Sequence, residues 1–186
     1  MSHNDGLADA NRLQAAIKNI VVDGESRAAT LAAALKSDVC RFEQLSLKSN
    51  NLSFADVEAL AAALKSNKSL RKVNLFGCGL GPAGAKEITS ALVMNHSIDS
   101  IVLTGNGIGP EGAADIAAML KVNASLTTIE LGSNTIGSVG AEKLTDALKE
   151  NAALTRVDLP HNGFVATDGK LFTAAFASNS TITHME

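Results

Sequence analysis

The chain predicts an α/β solenoid, a curved stack of strand–helix units with a parallel sheet on its concave face and helices on its convex face. Three observations predict it. A unit of 28 residues recurs, with starts at Phe42, Leu70, Ile98, Leu126 and Leu154. Within each unit the apolar spacing changes from two residues to a helical period. Asparagine recurs at two fixed places in the unit. One such unit cannot bury its apolar face alone, whereas stacked copies form a continuous core.

The unit 98–125 shows the logic. With Ile98 as position 1, positions 1, 4, 6 and 11 hold Ile98, Ile101, Leu103 and Ile108. Leu70, Val73, Leu75 and Leu80 fill them in the unit before, and Leu126, Ile129, Leu131 and Ile136 in the unit after. Positions 4 and 6 point to one face of a short strand. Position 9 is Asn50, Cys78, Asn106, Asn134 and Asn162, which predicts a small side chain bonding to the backbone of a sharp bend. Positions 16, 19, 20 and 23 are Ala113, Ile116, Ala117 and Leu120, the apolar stripe of a helix. Gly81-Pro82 and Gly109-Pro110 suit helix starts, and Ser53 with Asp56 suits a cap. Position 26 is Asn67, Asn95, Asn123, Asn151 and Asn179, and asparagine there predicts a left-handed residue ending each helix. Neighbouring strands are then parallel and about 4.8 Å apart.

In chain order, residues 1–6 are a loose polar start. Leu7, Ala10, Leu13, Ile17 and Ile20 have helical spacing, broken by Asp23-Gly24. Glu25–Lys36 reads as a second helix. Its tail, Leu31–Ser37, repeats the LAAALKS of Leu60–Ser66, so it is read as the helix of a degenerate zeroth repeat. Ile17, Ile20 and Val22 are alternatively that repeat's strand. Residues 1–38 are thus expected to cap the core, and 39–186 to hold five repeats, 42–69, 70–97, 98–125, 126–153 and 154–181, within one structural domain. In the fifth, Phe164, Phe172 and Phe176 replace smaller residues and are read as a bulky closure. Ile182 and Met185 begin a sixth strand, whose edge is expected either to pair with a second copy or to mark the cut edge of a longer array.

The pattern LxxLxLxx(N/C)xL followed by a helix resembles the leucine-rich repeat. The 28-residue period, with IGxxGA and a helix ending in LKxN, is similar to the ribonuclease-inhibitor-like subclass, which includes repeats of NOD-like receptors, Ran GTPase-activating proteins and tropomodulins. The resemblance covers roughly residues 42–181. It implies a right-handed α/β horseshoe segment and a non-enzymatic scaffold for protein–protein interaction. It also leaves two alternatives: a GTPase-activating accessory protein, or a regulatory fragment of a larger receptor. None of Arg12, Arg27, Arg41, Arg71 and Arg156 matches the GTPase-activating motif, so no catalytic residue is carried over.

Composition points the same way. A net charge of −3 gives no reason to expect nucleic acid or an anionic membrane as partner. The polar start MSHNDGLADA lacks the form of a secretory signal. Two cysteines, Cys40 and Cys78, form no disulfide framework and suggest a reducing, cytoplasmic compartment. The Asn-x-Ser/Thr sequons at Asn51, Asn67, Asn95, Asn123 and Asn179 are read as repeat grammar, since four lie at position 26. The glycines around Gly77–Gly84 and Gly105–Gly112 are also repeat grammar, because Ala85 stands where a phosphate loop needs lysine. His3, His96, His161 and His184 have no metal-ligand spacing, and no cofactor or metal is expected.

The expected binding surface is the concave face, to which strand positions 3, 5 and 7 point. The candidate partner-binding residues are Phe76 and Val102, as an apolar centre, with Lys48, Lys72 and Asn74 toward one end and Glu130, Asp158 and Arg156 toward the other. An apolar centre with a polar rim is how protein-binding surfaces are built. Lys65, Lys86, Glu142 and Lys143 belong to a solvated outer face.

Overall fold

The structure is a computed structural model that describes Leu35 and residues 43–185. β1 (Gln44–Ser46), β2 (Lys72–Asn74), β3 (Ser100–Val102), β4 (Thr128–Glu130), β5 (Arg156–Asp158) and β6 (His184–Met185) form one sheet in chain order, every pair parallel. Between them run α1 (Phe54–Ser66), α2 (Gly81–Met94), α3 (Gly109–Leu120), α4 (Gly137–Glu150) and α5 (Ala166–Ser178), each packed on the next. The register matches equivalent positions: Val73, Ile101, Ile129 and Val157 stand side by side. The fold is a leucine-rich-repeat solenoid.

The apolar pattern is the core. Ile98, Ile101, Leu103 and Ile108 have no exposed surface, nor do their helical counterparts Ala113 and Ile116. Each buried Leu or Ile contributes about 1.5–3 kcal/mol relative to exposure. Because each strand buries position 4 toward the helices, positions 3 and 5 are left for the opposite face.

Helix starts follow two solutions. Ser53 caps α1: its Oγ accepts from the Asp56 N–H at 3.2 Å, and its own N–H donates to Asp56 Oδ2 at 2.9 Å. The Gly-Pro starts of α2 and α3 have no side-chain cap. They are tied instead to the next unit, Gly81 N–H to the Asn106 carbonyl and Gly109 N–H to the Asn134 carbonyl, both at 2.9 Å. The glycine at position 15 serves packing. A Cβ on Gly140 would press on Ile136 and stand 3.0 Å from the Ala113 Cβ, so the helices approach only because it is absent.

Position 26 corrects the expectation of left-handed asparagines. Asn67, Asn95, Asn151 and Asn179 are extended, with φ between −70° and −94°. What selects asparagine is a double brace. The Asn95 Nδ2 donates to the Leu64 carbonyl at 2.7 Å and the Asn67 carbonyl at 2.9 Å, both in the preceding unit. Its Oδ1 accepts from the N–H groups of Ser97 and Ile98, each at 2.9 Å. Asn123, Asn151 and Asn179 repeat this brace. These amides are committed on both sides, whereas Asn51, the sequon outside the column, is exposed.

The expected N-terminal cap lies outside the described residues, Leu35 excepted. That residue is helical and buried, and its carbonyl accepts from Asn67 Nδ2 at 2.9 Å, the role Leu64 plays toward Asn95. In the last helical unit Phe172 is buried against the half-buried Phe164 and Phe176, with ring centroids 5.1 and 6.2 Å away.

Candidate functional site

The concave face is built from three rows of side chains, one from each of positions 3, 5 and 7. Register sets the rows: Gln44, Lys72, Ser100, Thr128 and Arg156 are neighbours in sequence of strands, and so are Ser46, Asn74, Val102, Glu130 and Asp158. The third row, Lys48, Phe76, Thr104, Gly132 and Pro160, lies just past the strand ends.

A depression opens over β1–β3. It is lined by Gln44, Ser46, Lys72, Asn74, Ser100 and Val102, with Leu45 and Val73 contributing from the strands themselves. Three of the predicted residues, Lys72, Asn74 and Val102, meet there. Gln44, Ser46 and Ser100 belong to the same wall and were missed as site residues. Their signal was their place at positions 3 and 5 of adjacent strands, outweighed in the sequence by the rarer apolar and charged residues.

Phe76 does not line this depression. It sits in the bend after β2, 37% exposed, with the Lys48 Nζ 4.8 Å from its ring centroid. The ring face attracts the ammonium electrostatically. Asn74 turns back to the chain, its Oδ1 accepting the Phe76 N–H at 2.9 Å. One predicted polar contact is therefore partly committed to holding the bend.

The far end is acidic. Arg156 holds Asp158 Oδ2, with Nη2 at 3.0 Å and Nε at 3.2 Å. Asp158 is buried, and its Oδ1 has no hydrogen-bond donor. Glu130, its register neighbour on β4, is half-buried and forms no ion pair among the described residues. Between the two ends Gly132 leaves room for the Pro160 ring, which a Cβ would approach to 3.2 Å.

The convex side carries other exposed apolar side chains, among them Val93, Met94 and Val122 at the helix C-terminal edge. Among the described residues no group of three His, Cys, Asp or Glu side chains could hold a metal ion. No helix among them is long and apolar enough to cross a membrane.

Comparison with known proteins agrees with this architecture. Residues 66–88, 95–117 and 122–144 each match the family model described as Leucine Rich repeat. No curated protein sequence matches the chain. Among solved structures the fold is similar to that of leiomodin-1 actin-binding site 2, with a TM-score of 0.71 and 18% identity over 85% of this chain and 91% of that one. It is also similar to the C-terminal domain of tropomodulin from Caenorhabditis elegans, with a TM-score of 0.69 and 16% identity over 83% of this chain and 93% of that one. At these identities the likeness is one of fold.

Proposed function

We propose that this leucine-rich-repeat solenoid is a non-enzymatic scaffold that binds a protein partner on its concave sheet. The observation that carries this reading is the composition of that face. A half-buried Val102 and an exposed Phe76 are flanked by Lys48, Lys72 and Asn74 on one side and by Glu130, Asp158 and Arg156 on the other. Such a surface offers apolar contact at its centre and charge selection at its rim. The scaffold is rigid because each unit is braced to its neighbours through buried amides, so binding needs little reorganisation. We place the repeats in the ribonuclease-inhibitor-like subclass, on the strength of their 28-residue period and full helices. A reducing, cytoplasmic compartment is consistent with Cys78, a buried free thiol.

The test is affinity capture from a lysate of the source organism, with the wild type beside a Phe76→Asp/Val102→Asp variant whose folding is verified by circular dichroism. A protein held by the wild type and lost by the folded variant supports the concave face. Equal capture by both sinks the site and directs attention to the ends or the outer helices. Purified actin is a sensible first probe, since the similar leiomodin-1 structure is of an actin-binding site. A second proposal concerns β6, which among the described residues pairs with β5 and exposes Met185: its outer edge supports self-association. A mass independent of concentration in sedimentation would count against it.

A further inference from the structure

The concave face is not evenly charged, and its two halves differ in kind. The depression over β1–β3 is lined on its polar side by Gln44, Ser46, Lys72, Asn74 and Ser100, with no carboxylate. Lys48 stands beyond it, over the Phe76 ring. This half holds cations and neutral donors, a setting for an acceptor group. Two strands away the balance reverses. Glu130 on β4 is half-buried and forms no ion pair among the described residues, whereas Asp158 is buried and already holds Arg156. This half favours an incoming donor.

We propose that the concave face takes its partner in one orientation: an acidic side chain of the partner sits in the depression beside Lys72, and a basic side chain meets Glu130. The occupant is a protein segment, acidic at one end, apolar at its middle and basic at the other. Lys72 on β2 and Glu130 on β4 are two strand spacings apart, about 10 Å. That span corresponds to about six or seven residues of helix, or about three of extended chain. In water the two ends are separated by about a Debye length and are largely screened from one another. A docked segment excludes that water, so each end then selects its own charge, and a segment laid the wrong way meets like charge at both ends. The inference rests on the reading of the concave face as the binding surface, and adds the chemistry and direction of what binds.

The test uses a displayed library of random 16-residue peptides, selected against the wild-type chain, a Lys48→Glu/Lys72→Glu variant and a Glu130→Lys variant, all verified folded by circular dichroism. These side chains are exposed or half-buried, so the core is left intact. Wild type is expected to select peptides carrying both an acid and a base around an apolar residue. The double lysine variant should select bases without the acid, and Glu130→Lys should select acids without the base. A wild-type peptide should bind the double lysine variant about tenfold more weakly or worse. The same charge composition on all three proteins, or no peptide selected by wild type, overturns the proposal. Peptides lost from Phe76→Asp/Val102→Asp but indifferent to the charge variants would overturn the orientation alone. Peptides held equally by Phe76→Asp/Val102→Asp would overturn the concave site itself.

Discussion

Two columns of asparagine run through the solenoid, and they are not equivalent. The column at position 26 is unbroken from Asn67 to Asn179, whereas the column at position 9 admits Cys78. From Asn67 to Asn162 both are buried and both bond to carbonyls of the unit before. The difference lies in what else each amide must do. At position 26 the side chain donates across units and accepts two N–H groups of its own next strand, as Asn123 does for Ser125 at 3.0 Å and Leu126 at 2.8 Å. No other side chain of that size supplies both functions. At position 9, Asn106 donates to the Leu75 and Leu103 carbonyls at 2.8 Å, and its Oδ1 accepts the Cys78 N–H at 2.9 Å. Cys78 keeps the cross-unit part of that set, its Sγ–H donating to the Leu47 carbonyl at 3.0 Å. The Asn50 N–H, with a sulfur at position 78 in place of a carboxamide oxygen, faces that sulfur and also donates to the Leu47 carbonyl at 3.2 Å. Substitution is tolerated where a neighbouring backbone group has a second partner within reach.

Breaking the position-26 column should cost most. Asn123→Ala strands the Ser125 and Leu126 N–H groups and takes one of two donors from each of the Leu92 and Asn95 carbonyls, and should lose about 3–4 kcal/mol in urea denaturation. Asn106→Cys imitates position 78 in a unit where the next position 9 is asparagine, and should cost about 2 kcal/mol. If the two variants prove equally damaging, the distinction between the columns fails. Cys78→Ala removes one weak donor and a small volume and should cost about 1 kcal/mol. Its pH dependence sharpens the point. Burial pushes the Cys78 thiol up, against the lowering effect of the Asn50 and Ser49 N–H groups. A raised value means the folded state prefers the thiol, so this contribution is complete below the ordinary thiol range and is lost as pH rises through the folded value. Wild type should therefore lose stability there while Cys78→Ala does not, as thermal melts at rising pH would show.

The smallest effect concerns the bend that follows position 9. Position 10 is left-handed at Gly79, Gly107 and Gly163, with φ of 72°, 63° and 72°. Thr135 holds the same conformation, φ 54°, against the preference of a β-branched residue. Thr135→Gly should gain about 0.5–1 kcal/mol by relieving that strain. A loss instead would mean that the Thr135 hydroxyl, donating to the Asn134 carbonyl at 2.6 Å, outweighs it.

Much of this was legible in the chain. Parity of the strand residues separated Ile101 and Leu103 from Ser100 and Val102, because side chains alternate along any strand. The helical stripe through Ala113, Ile116 and Leu120 followed from its period. Asparagine at position 26 was visible, but its reason was misread. Asparagine serves both a left-handed turn and a side-chain brace, and local sequence does not separate them. The concave residues were identified by parity, yet their grouping was not. That Lys48 reaches over Phe76, that Asn74 turns back to its own strand, and that Gln44, Ser46 and Ser100 share a depression with Lys72 depend on how three strands stand together.

The sequence by itself determined the period, the alternation of strand and helix, the buried set and which side of each strand faces away from it. These depend on side chains within one unit, and local chemistry decides them. The tertiary structure decided the conformation of the position-26 asparagines, the partners of Cys78 and which concave residues share the depression over β1–β3. Each depends on atoms 26 to 31 residues away in the chain, brought within about 3 Å only when the units stack.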